Sequence, residues 1–120
     1  MNITWEVLPL QTQLSILSSL SRLCLRMSAR SSAISIYSIG QLGLPLTSLT
    51  DQVIMSIELA TRKLEHQASA QDVVQTLSGL QAMDFSWNSL SVRTQNVLAM
   101  AIYTLGLSLF LSHSVYIFIH

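Results

Sequence analysis

The chain has 120 residues, of which 50% are hydrophobic and only 10% are charged, and this length suits one domain rather than a multidomain enzyme. High hydrophobicity combined with so little charge excludes an intrinsically disordered chain. Six basic and six acidic side chains give a formal net charge of zero, so no global field attracts the chain to nucleic acid or to an anionic membrane. Its one cysteine, Cys24, excludes an internal disulfide and a cysteine-rich zinc site.

All of the regular elements are predicted to be helices. The first begins at Pro9, which suits the first turn of a helix because proline has no amide hydrogen to leave unpaired there. The second is predicted over 28–42, and the third begins after Thr50. The fourth is predicted over 69–83, and the fifth begins after Ser91. Apolar residues recur in these segments at the three- and four-residue spacings of a helix face.

The predicted ends of two of these helices carry specific signals. Ser28 and Ser69 are expected to be N-caps, and Asp72 takes the place of the usual glutamate in a capping box with Ser69. Gly43 is expected to end the 28–42 helix in the left-handed conformation. Asp84 occupies the matching position after the 69–83 helix, and aspartate tolerates that conformation better than most residues.

Similar segments recur along the chain at a spacing of 41 residues. The segment that begins at Trp5 aligns without a gap with the segments that begin at Leu46 and Trp87. Three columns stay apolar in every copy: Leu8/Leu49/Leu90, Ile16/Ile57/Leu98 and Leu23/Leu64/Leu105. A fixed period of this kind is typical of repeat proteins, in which each unit buries its apolar face against the next.

The predicted fold class is therefore all-α, an α-solenoid of about two and a half helical-hairpin repeats. The repeat domain is predicted over 1–105, and 106–120 form an apolar C-terminal tail without a predicted structure. The repeat units are 1–26, 27–67 and 68–105. Because Trp5 lies between the two helices of a unit, the chain is expected to be a piece of a longer array.

Two stretches resemble the octotricopeptide-type repeats, in the diverged form of algal, diatom and other protist organellar proteins. The run SAQDVVQTLSGLQAMDFSW begins at Ser69, and YSIGQLGL begins at Tyr37. The resemblance extends over about 5–105, with departures where Leu46 replaces a tryptophan and Asp84 replaces a glycine. It implies an α-solenoid that binds single-stranded RNA in a chloroplast or mitochondrion, in transcript stability, processing or translation.

Polar residues of the first helix form a stripe along one face. It consists of Gln11, Ser15, Ser18, Arg22 and Arg26, at spacings of four, three, four and four. The same columns of the next copy hold Gln52, Ser56, Leu59, Lys63 and Gln67. Stacked copies of such a stripe would form a polar lane along which an RNA backbone could lie. The other reading is that the helix simply turns its polar side toward water.

The RNA contacts expected from this reading fall into two groups. The side chains expected to meet phosphates are Arg22, Arg26, Arg30, Arg62 and Lys63. The side chains expected to read bases, on the 69–83 helix, are Gln71, Asp72 and Gln75. Trp5 and Trp87 are expected to be core residues rather than stacking platforms, because the same column holds Leu46 in the middle copy.

Catalytic motifs are missing from the sequence, so the protein is predicted not to be an enzyme and to need no cofactor. The three histidines, His66, His113 and His120, have no metal-ligand spacing, and there is no glycine-rich phosphate loop. Cys24 lies among leucines, as a buried, inert thiol does.

Two other functions stay open at this stage. A protein-interaction scaffold of the same fold is favoured by the zero net charge. A small membrane-anchored protein is the third reading, because 98–119 has no formally charged side chain and is long enough to cross a bilayer. Against an anchor, Ser112, His113 and Ser114 would then lie in hydrocarbon. No signal or transit peptide is predicted in the first 12 residues.

Overall fold

The helices begin and end at regular intervals along the chain. The computed structural model describes 5–23, 28–44, 46–65 and 68–104, without the side chains of 20–23. It has five α-helices: α1 (Leu10–Leu23), α2 (Ala29–Gln41), α3 (Asp51–Thr61), α4 (Ala70–Ala82) and α5 (Val92–Thr104). Three short 3-10 turns precede α1, α3 and α5, at Trp5–Val7, Leu46–Ser48 and Trp87–Ser89. A fourth 3-10 segment, Arg62–Glu65, continues α3.

The bounds of these elements follow the 41-residue spacing. The three 3-10 turns start at residues 5, 46 and 87, and the helices after them start at residues 10, 51 and 92. The other two helices, α2 and α4, start at residues 29 and 70. The described residues contain no strand, so the predicted all-α class is confirmed.

Side chains close the helix N-termini as the sequence predicted. The Ser28 hydroxyl accepts a hydrogen bond from the backbone N–H of Ser31 at 3.2 Å. The Ser69 hydroxyl accepts from the N–H of Asp72 at 3.2 Å, and the Asp72 carboxylate accepts from the N–H of Ser69 at 3.1 Å. Thr50 caps α3 in the same way. These contacts satisfy N–H groups that have no partner inside a helix.

The ends of α2 and α4 are also alike. Gly43 has a φ of 77° and Asp84 a φ of 70°, and these are the positive φ values among the described residues. The N–H of Gly43 donates to the carbonyl of Gly40, and that of Asp84 donates to the carbonyl of Gln81, both at 3.0 Å. The left-handed conformation expected at both positions is therefore confirmed.

The turns before α1, α3 and α5 share one hydrogen bond. The N–H groups of Leu8, Leu49 and Leu90 donate to the carbonyls of Trp5, Leu46 and Trp87, at 3.2, 3.1 and 3.2 Å. Leu90 is buried, and Leu8 and Leu49 are half-buried against the core. The leucine column therefore has equivalent backbone geometry in each copy.

A glutamine side chain braces two of these turns. The Nε2 atom of Gln13 donates to the carbonyl of Trp5 at 2.9 Å, and that of Gln95 donates to the carbonyl of Trp87 at 2.7 Å. The middle copy has Ile54 in this column and makes no such bond. Trp5 itself is buried and Trp87 is half-buried against the core, which agrees with a packing role for both.

The helices form two layers. Helices α2 and α4 pack side by side, and α1, α3 and α5 lie next to one another in the second layer. Helix α2 contacts α3, and α4 contacts α5, so the core lies between the layers. Ile36 and Leu77 from the first layer and Ile57 and Leu98 from the second are almost fully buried. The radius of gyration, 13.7 Å, is close to the value of about 14 Å expected for a compact chain of this length.

The α2–α4 contact depends on two glycines. A Cβ atom at Gly40 would lie 2.9 Å from the carbonyl oxygen of Gly79. A Cβ atom at Gly79 would lie 2.6 Å from the carbonyl carbon of Ile36 and would also meet the oxygen of that carbonyl. No side chain fits at such distances, so the two backbones approach as closely as they do because both residues are glycine.

Candidate nucleic-acid interface

The described part of the polar stripe predicted on α1 faces solvent. Gln11, Ser15 and Ser18 are exposed on α1. The side chain of Arg22, and Arg26 as a whole, lie outside the described residues, as do Cys24, His66, Gln67 and the 106–120 tail. The prediction that the stripe is exposed is therefore confirmed for Gln11, Ser15 and Ser18.

The column that contains Ser15 corrects the prediction of a continuous lane. The matching residue of α3, Ser56, is buried, and its hydroxyl donates to the carbonyl of Gln52 at 3.0 Å. The matching residue of α5, Val97, is also buried and lies beside Leu64 of the 3-10 segment that continues α3. This column therefore lies at contacts between neighbouring helices. Ser15 is exposed because no described helix precedes α1.

A second column of the stripe is exposed in all three copies. It contains Gln11 on α1, Gln52 on α3 and Arg93 on α5, which we call the outer row. The stripe predicted from the sequence pairs the two glutamines but does not include Arg93, which lies a further 41 residues after Gln52. Two amides and a guanidinium thus lie on the outer face of neighbouring helices, where each is open to solvent.

The remaining predicted cations do not gather at this row. Arg30 is exposed at the start of α2, in the other layer. Arg62 and Lys63 are half-buried in the 3-10 segment after α3, and the Nε atom of Arg62 is buried without a hydrogen-bond partner among the described residues. The charge of Arg62 acts on Glu58, one turn before it. Arg62 is therefore held partly inside the fold.

The three predicted base readers differ in their surroundings. Gln71 is exposed and Gln75 is half-buried one turn later on α4. Asp72 is only 7% exposed, and its carboxylate accepts the hydrogen bond from the N–H of Ser69 in the capping box. Its role in the structure is to cap α4, so we take Asp72 out of the base-reading set. Gln71 and Gln75 stay in it as predictions.

Large apolar side chains share the outer face of the second layer with the outer row. Leu10 and Leu14 are exposed on α1, Met55 on α3, and Val92, Met100 and Tyr103 on α5. Large apolar side chains that are exposed to solvent provide contact area for another molecule. The surface thus combines apolar contact area with amide and guanidinium groups.

A groove with a volume of about 440 Å³ lies where the segment 62–65 meets α5. Its apolar walls are formed by Leu64, Ala68, Val97, Met100 and Ala101. Four polar side chains are also part of its lining: Glu65, Arg93, Asn96 and Thr104. We call it the α5 groove. Arg93 belongs both to this groove and to the outer row, so the two features are continuous.

One carboxylate joins α3 and α5. Glu58 on α3 accepts hydrogen bonds from the N–H of Ser91 at 2.9 Å and from the Thr94 hydroxyl at 2.7 Å. Both donors lie at the N-terminus of α5, where the helix dipole favours negative charge. Burial raises the pKa of Glu58. The hydrogen bonds from Ser91 and Thr94 and the charge of Arg62 together lower the pKa by more than burial raises it. The pKa therefore lies below the ordinary value for a glutamate.

This contact should make the stability of the domain depend on acid. Because the folded-state pKa of Glu58 is lowered, its contribution is present above the unfolded-state pKa and is lost as the pH falls through the folded-state pKa. We expect the urea midpoint to fall as the pH drops below about 4.3, the ordinary value for a glutamate. The urea midpoint of the Glu58→Gln variant should fall less over the same pH range, because the glutamine side chain does not titrate. An equal fall in both proteins would contradict the assignment.

The described residues form an all-α domain of helical hairpins. The outer face of this domain exposes both polar and apolar side chains. No protein-family model, curated protein or solved structure matches the chain. Within the described residues, none of the helices has the length and apolar content needed to cross a membrane. The same part of the chain contains no group of three or more metal-ligating side chains.

Proposed function

We propose that this chain is a non-catalytic, RNA-binding α-solenoid domain, whose outer row contacts single-stranded RNA. The observation that carries the proposal is the exposure of Gln11, Gln52 and Arg93 at one column of three neighbouring helices. Repeat proteins hold extended ligands with side chains that recur at the same place in each unit. The recurring element bounds at 5, 46 and 87 support the solenoid part of the proposal.

The chemistry of the outer face suits single-stranded RNA. Amides hydrogen-bond to the edges of unpaired bases, and guanidinium groups pair with phosphates. Two exposed side chains of α5, Met100 and Tyr103, provide contact area for base faces. By the resemblance to octotricopeptide-type repeats, the site of action would be a chloroplast or mitochondrion, in transcript stability, processing or translation.

Salt dependence is the direct test of this proposal. If four cationic side chains contact phosphates, a plot of the logarithm of the binding constant against the logarithm of the salt concentration should have a slope of about −3. Affinity should then fall roughly tenfold to a hundredfold between about 50 and 200 mM salt. Fluorescence titration of an unstructured RNA at three salt concentrations measures the slope. Replacing Arg22 and Arg26 with alanine should make it shallower by about one to two, and Arg93→Ala by about 0.7.

In the matched control, glutamine residues are changed to alanine instead of arginine residues. Changing Gln11 and Gln52, the two amides of the outer row, to alanine should alter sequence preference and leave the slope unchanged, because amides contact bases rather than phosphates. Circular dichroism of each variant checks that the helices remain formed. A monodisperse, helical wild-type chain that binds no RNA at the lowest salt concentration would overturn the proposal.

A protein-interaction scaffold of the same fold is the second candidate function. The observation that favours it is the exposure of large apolar side chains on α1, α3 and α5, with Val92 70% and Tyr103 83% exposed. Binding through such a surface would bury apolar area and depend little on salt. A shallow salt dependence in the titration above, for a protein ligand, would favour this candidate.

A further inference from the structure

The α5 groove combines features that the outer row alone lacks. Its volume, about 440 Å³, falls within the range of about 300–1,000 Å³ that is usual for small-ligand sites. The walls are apolar, whereas Glu65, Arg93 and Asn96 are exposed. The only full charges among its described lining residues are one guanidinium and one carboxylate, on opposite contributing elements.

These charges complement a nucleotide. The Arg93 guanidinium pairs with a phosphate, and a carboxylate accepts a hydrogen bond from the exocyclic amino group of a base. Asn96 has an amide that can pair with a base edge. Met100 is 62% exposed and offers a polarisable side chain to a base face. An apolar ligand without charge would leave Arg93 and Glu65 without a role.

We propose that the α5 groove binds one unstacked nucleotide of the RNA, and that it prefers a base with an exocyclic amino group. This rests on the proposed function, which it deepens by naming a subsite and its specificity. Arg93 holds the phosphate at the end of the outer row, and the base enters between Met100 and Leu64. Glu65 accepts the hydrogen bond from the amino group. Uracil has a carbonyl oxygen at that position and would face the carboxylate with an acceptor.

The test uses the full chain and two RNAs whose bases differ at this group and at the adjacent ring nitrogen, which is an acceptor in cytosine and an N–H donor in uracil. Twelve-nucleotide oligocytidylate and oligouridylate are titrated at low salt, and wild type should bind the cytidylate roughly tenfold more tightly. Glu65→Ala should abolish this preference, whereas Glu6→Ala, another exposed glutamate of a 3-10 segment, should retain it.

Two methionine variants distinguish RNA binding in the groove from RNA binding elsewhere on the outer face. Met100→Ala should weaken oligocytidylate binding about fivefold, as expected when roughly 40 Å² of apolar contact is lost. Met55→Ala removes an equally exposed methionine from α3, away from the groove, and should change affinity less than twofold. Both side chains are on the surface, so neither change should unfold the protein.

The outcomes separate this inference from the function on which it rests. Equal affinities of the Met100→Ala and Met55→Ala variants, with no preference for cytidylate in wild type, would overturn the groove site and leave RNA binding in place. Binding of neither RNA by a folded chain would overturn the proposed function and the site with it. A groove that binds a peptide helix instead would show saturable peptide binding that RNA does not compete.

Discussion

Replacing Gly79 with valine is expected to destabilise the domain by about 3 kcal/mol, because a side chain there would overlap the α2 backbone. A Cβ at this position would lie 2.6 Å from the carbonyl carbon of Ile36, which is backbone and has little room to move. Valine is favoured over glycine in a helix by a few tenths of a kcal/mol, so intrinsic propensity alone would give the opposite sign. Urea unfolding followed by circular dichroism measures the change in the free energy of unfolding.

The control is Ser78→Val in the same helix. Ser78 is half-buried and precedes Gly79, so the variant tests the effect of a β-branched residue in α4 without the close backbone approach. It should change the free energy of unfolding by less than about 1 kcal/mol. Equal effects of the two substitutions would show that α2 and α4 are not in backbone contact at Gly79.

Glu58→Ala is expected to cost about 2 kcal/mol at neutral pH. The change removes the carboxylate that accepts hydrogen bonds from the Ser91 N–H and the Thr94 hydroxyl, and a hydrogen bond to a charged group contributes about 1.5–3 kcal/mol. Alanine is a strong helix former, so the loss cannot come from the propensity of α3. Glu65→Ala, at an exposed position of the 3-10 segment, should be within about 0.5 kcal/mol of wild type.

The chain itself offers a rescue for this variant. At the same two columns of the preceding interface it has Leu17 in place of Glu58 and Val53 in place of Thr94. The double variant Glu58→Leu/Thr94→Val removes both polar partners together, and such a replacement is often nearly neutral. We expect it to recover most of the lost stability in a double-mutant cycle. Additive losses would mean that the two side chains do not act as a pair.

The local parts of the fold could be predicted because their causes are local. Ser28 and Ser69 accept hydrogen bonds from residues three positions later, and Gly43 and Asp84 are residue types that tolerate the left-handed conformation. The 41-residue spacing then fixed where each of these signals recurs, since the chain repeats its apolar pattern without a gap.

Exposure across repeats could not be predicted in the same way. Ser15 and Ser56 share a column and a chemistry, yet one is exposed and the other buried, because only the second has a helix packed on that side. The prediction of a continuous polar lane was therefore wrong at the column of Ser15 and Ser56. Asp72 was assigned both to a cap and to base reading, and its burial decided for the cap.

The sequence by itself determined the all-α class, the bounds of the helices and their caps, because these depend on contacts between residues a few positions apart. Only the tertiary structure decided which polar side chains reach solvent, and it revealed the outer row, the α5 groove and the joint between Glu58 and Thr94. Each of these brings together side chains that are distant in the sequence, 33 residues apart for Glu58 with Ser91 and 41 residues apart for Gln52 with Arg93. The pattern of one helix contains no information on which of its faces a helix from elsewhere in the chain covers.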